Sequence, residues 1–161
     1  MQNAKDSFYI ALRDRLATLN PSRTVLIRGT VRPGILVEEA EAPYAQLPND
    51  VYILRWSAAG LDAKLPISMV AQNCDILYQT CGSEAYGGLD RGRALSTMDS
   101  EVASLVLPNT TKKYNYLTTA PTAMLSSVFW DDPVYGPLTT QKDRISRTVS
   151  VLVYSYQEEG E

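Results

Sequence analysis

One group of possible metal ligands in the chain is the acidic run Glu38, Glu39 and Glu41. Carboxylates supply the hard oxygen donors that a divalent cation takes. The run lacks the Asp/Asn/Gly spacing of a calcium loop, so a solvated acidic loop without metal is the favoured reading. Asp131 and Asp132 are a second carboxylate pair, but adjacent acids beside Pro133 are turn formers more often than catalysts. Gly82-x4-Gly87 has the glycine spacing of a phosphate-cradling loop. Gly88 and Leu89 then stand where Lys and Ser or Thr would touch phosphate and magnesium, and the match fails there.

The chain contains no histidine, which removes the commonest general base and transition-metal ligand. Ser-His-Asp, Cys-His and the usual zinc arrangements go with it. No Gly-x-Ser-x-Gly elbow, Cys-x-x-Cys pair or dinucleotide-binding glycine pattern is present. The two cysteines, Cys74 and Cys81, fall seven apart in one expected strand. That places them on opposite faces and roughly 23 Å apart, too far for a disulfide. They read as small hydrophobes. The expectation is a protein with no catalytic, metal or cofactor site.

These residues hang on a central unit running from Asn73 to Leu107. Cys74 to Cys81 reads as a strand of β-branched and aromatic type, and Gly82 to Gly88 as a sharp reversal. A helix follows, with Asp90 as its N-cap. Ala94, Leu95, Met98, Val102, Leu105 and Val106 form one apolar stripe, and Arg93, Thr97, Ser100, Glu101 and Ser104 fill the other side. A stripe of this kind must be covered by a sheet, which predicts a two-layer α+β domain.

Elsewhere, residues 3 to 19 read as an amphipathic helix capped by Asn3 or Asp6, with Phe8, Leu12, Leu16 and Leu19 on its buried face. Lys5, Arg13, Asp14 and Thr18 occupy its solvated face. Residues 24–28 and 34–38 are two short strands or one bent segment. Residues 50–57, apolar on both faces except at Arg55, form an interior strand, and 65–72 read as a strand that begins after Pro66 and continues into the central unit. Residues 145–156 alternate Ile145, Val149, Val151 and Val153 with Ser146, Thr148 and Ser150, the pattern of a long strand across the middle of the sheet. The expected fold is a single α+β domain over 1–161, with a mostly antiparallel or mixed sheet and two amphipathic helices packed on it.

The stretch 108–142 is different in character. It carries prolines at 108, 121, 133 and 137, many threonines, and the aromatics Tyr114, Tyr116, Phe129, Trp130 and Tyr135. It reads as a long irregular excursion, and its rings either anchor a subunit interface or pack the excursion onto its own domain. At 161 residues, 45% hydrophobic and 20% charged, the chain has an ordinary globular composition. No membrane span or signal-peptide pattern is evident, and synthesis in the cytoplasm is the expectation. A net charge of −3 gives no basic footprint for nucleic acid.

The order of elements resembles the tail-terminator or tail-completion proteins of long-tailed bacteriophages. The similarity lies in the N-terminal helix, Ala42-Pro43-Tyr44, the strand before the central unit, the helix from Asp90, the long excursion and the final Arg147 to Tyr154 strand. It implies a virion protein without a catalytic site. It further implies assembly into a ring, typically a hexamer, that caps the tail tube, meets the head connector and lets DNA through without specific binding. Another neck or tail component, a head-tail adaptor or tube protein, is the nearest alternative. A ligand-binding or hydrolytic α+β domain with a pocket under 108–142 is the alternative of another class.

Overall fold

A computed structural model describes residues 1–39, 47–64 and 67–158. The chain is α+β. Helix α1 spans Gln2–Leu19, strands β1 Thr24–Ile27 and β2 Thr30–Pro33 form a hairpin, and β3 is Ile35–Val37. Strands β4 Tyr52–Asp62 and β5 Met69–Thr80 precede helix α2, Arg91–Leu105. Then come β6 Thr110–Asn115, β7 Thr122–Trp130, β8 Val134–Tyr135, β9 Thr139–Gln141 and β10 Arg144–Tyr156.

The main sheet has the order β3-β4-β5-β10-β7-β6, with β8 and β9 also paired along β10. Among the described residues only β3 and β4 pair in parallel. As its length predicts, β10 is central: one edge pairs with β5 along its length, and β9, β8 and β7 share the other in turn. The sheet is curled, and α1 touches β3 on one side and β6 on the other.

The period-two pattern of β10 sends Ile145, Val149, Val151 and Val153 inward, against Phe8, Leu12 and Leu16 of α1 and Leu95, Met98 and Val102 of α2. Phe8 sits edge-on to both Trp56 and Trp130, with ring centres 5.8 and 4.9 Å apart. A smaller cluster of Leu36, Val51 and Ile53 forms separately and is covered by Val25 and Ile27 of the hairpin.

Several sequence expectations change. Residues 108–142 are not an irregular excursion; they supply β6 to β9, four strands of the main sheet. Thr122 to Ser127 carries little apolar alternation, so its strand character comes from pairing with β6 and not from its own pattern. Residues 24–38 form three strands, not two. The expected continuation of 65–72 into the central unit is seen, with β5 a single element, Met69–Thr80. Neither Asn3 nor Asp6 caps α1, whose N-cap position is Met1. Leu19 is half exposed at the helix end, and Glu101, placed outside the apolar stripe of α2, is buried. Pro66, Glu41 and the segment Ala42-Pro43-Tyr44 lie outside the described residues.

Asp90 does occupy the N-cap position of α2, but its carboxylate accepts from the Ser83 N–H at 2.9 Å and so braces the glycine loop. Gly82 has φ +74°, and a Cβ there would lie 2.5 Å from Asp90 Oδ1. Glycine is required at this close approach.

Candidate functional site

The inward row of β10 leaves an outward row, and that row is aromatic. Leu152, Tyr154 and Tyr156 stand on the face away from the helices, beside Phe129 of β7. The register pairs Tyr154 with Phe129, and their rings stack at 5.4 Å with an interplanar angle of 15°. Phe129 also meets Tyr156 at 6.2 Å. Leu152 and Tyr156 remain partly open to solvent, and Leu125, further along β7, is 92% exposed. No described element covers this face. One end of its rim is acidic: the Tyr154 hydroxyl donates to Asp131 Oδ2 at 2.6 Å, and Asp132 beside it is exposed, while Lys112 donates to the Leu125 carbonyl at the other end. That donated bond holds the Tyr154 phenol above its ordinary pKa.

A second exposed apolar feature is the β1–β2 hairpin. Val25 and Ile27 pack inward on the smaller cluster. The cross-strand partners Leu26 and Val31 point the other way, 66% and 65% exposed. The turn is made by Arg28 and Gly29, both with positive φ, and Arg28 is exposed at the tip.

The hairpin is held at its root by a buried polar cluster. Arg23 Nε donates to Glu101 Oε2 at 2.5 Å and its Nη2 to Oε1 at 3.1 Å. Tyr52 Oη donates to Glu101 Oε2 at 2.8 Å, and Asn20 Nδ2 to Oε1 at 2.7 Å. Burial alone would push the Glu101 carboxyl up, but these donors outweigh it and hold it below the usual range. Burial also pushes the Tyr52 phenol far up, so it stays a neutral donor. Arg23 Nη1 further donates to the Asp50 carbonyl, and the Arg23 carbonyl accepts from Gly34 N–H. One guanidinium thereby ties the hairpin, β4 and α2 together. The helical spacing of α2 gives no sign of this role for Glu101; a buried partner nearly eighty residues away creates it.

At the opposite edge, Lys113 is fully buried and donates to the Tyr156 carbonyl at 2.7 Å, with Glu158 Oε1 at 3.6 Å. Glu158 also accepts from the backbone N–H groups of Leu125 and Ser126 and from the Ser126 hydroxyl. Burial works against its charge, yet these donors and Lys113 bring its pKa down to about 2. This lock fixes the end of β10 against β7 and hence sets the aromatic face.

The five aromatics singled out by sequence do not form one surface. Phe129 belongs to the exposed face. Trp130, the next residue, faces inward, is 1% exposed, and donates from Nε1 to the Val106 carbonyl at 2.8 Å. An indole buried against its own helices is not available to another subunit in this structure. Tyr135 Oη donates to the Asp99 carbonyl, and the Tyr114 N–H donates to Ser7 Oγ. Tyr114 and Tyr116 lie 6.2 Å apart at the start of the β6–β7 turn.

Tyr116 also lines a cleft of about 410 Å³ with Tyr9, Trp56, Lys5, Asp6 and Glu39. Its polar groups are partly engaged already: Lys5 pairs with Glu39 at 3.1 Å and lies over the Trp56 ring. Of the acidic run, Glu38 is held in a two-point pair by Arg55, at 2.6 and 2.7 Å, which keeps its carboxyl below the usual range. Glu38 and Glu39 thus each face a different cation. Cys74 and Cys81 are both free, and burial pushes the Cys74 thiol far up, which leaves it a poor nucleophile.

Compared with family models and with curated proteins, the chain matches none.

Proposed function

We propose that this chain is a structural ring subunit of a long-tailed phage virion, a tail terminator that caps the tail tube and meets the head connector. The observation that carries the reading is the presence of two unlike apolar surfaces, the aromatic face of β7 and β10 and the outward face of the β1–β2 hairpin. A closed ring uses heterologous contacts, which need two different patches on each subunit. Partly exposed tyrosine and phenylalanine supply the anchors that such interfaces favour. The resemblance of the sequence's element order to tail terminators suggests the biological setting. DNA passes through such a ring without specific contacts, in keeping with a chain of net charge −3.

Light scattering over a concentration series, with electron microscopy of the chain mixed with tail tubes, tests this. A discrete ring, alone or on tube ends, supports the reading. Indefinite stacking of rings favours the tube protein, and a monomer that never engages tubes overturns the proposal. The cleft lined by Trp56, Tyr9 and Tyr116 favours a second reading, a small-ligand domain. A saturable change in tryptophan fluorescence on ligand addition, lost in Trp56→Phe, would favour it.

A further inference from the structure

We infer that the β1–β2 hairpin of one copy seats on the aromatic face of β7 and β10 of the next copy. This rests on the ring reading above and names the two surfaces and their register. The hairpin presents Leu26 and Val31 as a directly paired apolar ridge, with Arg28 exposed two residues beyond Leu26. The face presents Phe129 stacked on Tyr154, with Asp131 two residues beyond Phe129 and Asp132 next to it. The hairpin thus sets its apolar pair two residues from Arg28, the face sets its own two residues from Asp131 and three from Asp132, and the charges are opposite.

Among the described residues Arg28 pairs with no carboxylate, and Asp132 pairs with no cation. The other hairpin arginines are engaged, Arg23 by Glu101 and Arg32 by the Tyr9 hydroxyl. The open cation is thus the one at the tip. A chain cannot make this contact with itself. Its hairpin is fixed to the β3 side by Arg23 and Glu101, and β3 lies four strand spacings from β7, about 19 Å along the sheet. The contact is head-to-tail, because hairpin and face are different surfaces.

The experiment uses the full chain. Leu26→Asp with Val31→Asp disables the hairpin, and Leu152→Asp with Tyr156→Ser disables the face; circular dichroism checks that both remain folded. Each variant alone is expected to be monomeric at concentrations where the wild-type chain assembles, with self-association weakened at least tenfold. An equimolar mixture is expected to form a one-to-one dimer and nothing larger, because one intact hairpin meets one intact face. In the charge exchange, Arg28→Glu weakens assembly and adding Asp132→Arg restores it.

The inference is overturned if the folded hairpin variant assembles like wild type, if the mixture stays monomeric, or if the wild-type chain never self-associates, with or without tubes. A face variant that loses tube binding while the wild type never self-associates assigns the face to the tube instead, and also overturns it. If hairpin and face control a ring that ignores tail tubes, the inference stands and the tail reading fails. If the chain caps tubes and the hairpin variant caps them equally well, the tail reading stands and the inference fails.

Discussion

Removing the Glu101 carboxylate is the sharpest test of how the hairpin is held. In Glu101→Ala, Arg23 keeps its charge in a site where its side chain is only 12% exposed, and Asn20 loses its acceptor. Tyr52 retains the Met98 carbonyl at 3.2 Å, so its hydroxyl is not stranded. Breaking a buried pair by deleting one partner costs about 3–5 kcal/mol, and the remaining exposure of this one puts the expectation near the lower end, about 3 kcal/mol. In a domain of this size each kcal/mol moves the melting temperature by about 2–4 °C, so a fall of about 6–12 °C is expected. Replacing both partners, Arg23→Met with Glu101→Leu, leaves no buried charge and is expected to cost clearly less than the two single changes added together. Thermal and urea unfolding of wild type, Glu101→Ala, the two single changes and the double variant measures this. A loss below about 1 kcal/mol in Glu101→Ala, or strict additivity in the double variant, would refute the claim that this cluster is a coupled unit.

Three further outcomes are expected. Trp130→Ala empties a core position and removes the bond to Val106, and should cost about 3–5 kcal/mol by urea denaturation; a stable, merely non-assembling variant would contradict its placement in the core. Glu158 has its pKa held at about 2, so its bonds favour the folded state above the unfolded carboxyl's pKa of about 4.3, and that contribution disappears as pH falls from there toward 2. Glu158→Gln should therefore be less stable than wild type at pH 7 and show a shallower acid decline between roughly pH 5 and 2, followed by denaturant midpoints at each pH. Gly82→Ala forces a side chain into a left-handed turn and toward Asp90, at a cost of about 1–3 kcal/mol on the same assay; an unchanged midpoint would mean that the loop relaxes freely.

The sequence by itself determined the elements whose patterns are local. The apolar stripes of α1 and α2 and the alternation of β10 each follow from one residue's spacing to the next, and burial enforces those spacings directly. The α+β class followed from them, and the central place of β10 from its length. What the tertiary structure decided were properties belonging to pairs distant in sequence. Strands β6 to β9 are strands because they find partners, and Thr122 to Ser127 has too little apolar alternation to declare itself. Phe129 and Trp130 are adjacent aromatics that look equivalent as a sequence, yet strand geometry sends one outward to Tyr154 and the other inward to Val106. Glu101 reads as a helix residue outside the apolar stripe until Arg23, Tyr52 and Asn20 converge on it. The candidate surfaces were legible only in part for the same reason. Composition shows that aromatic side chains are present, but which of them meet solvent depends on the parity of a strand and on what the rest of the chain lays over it.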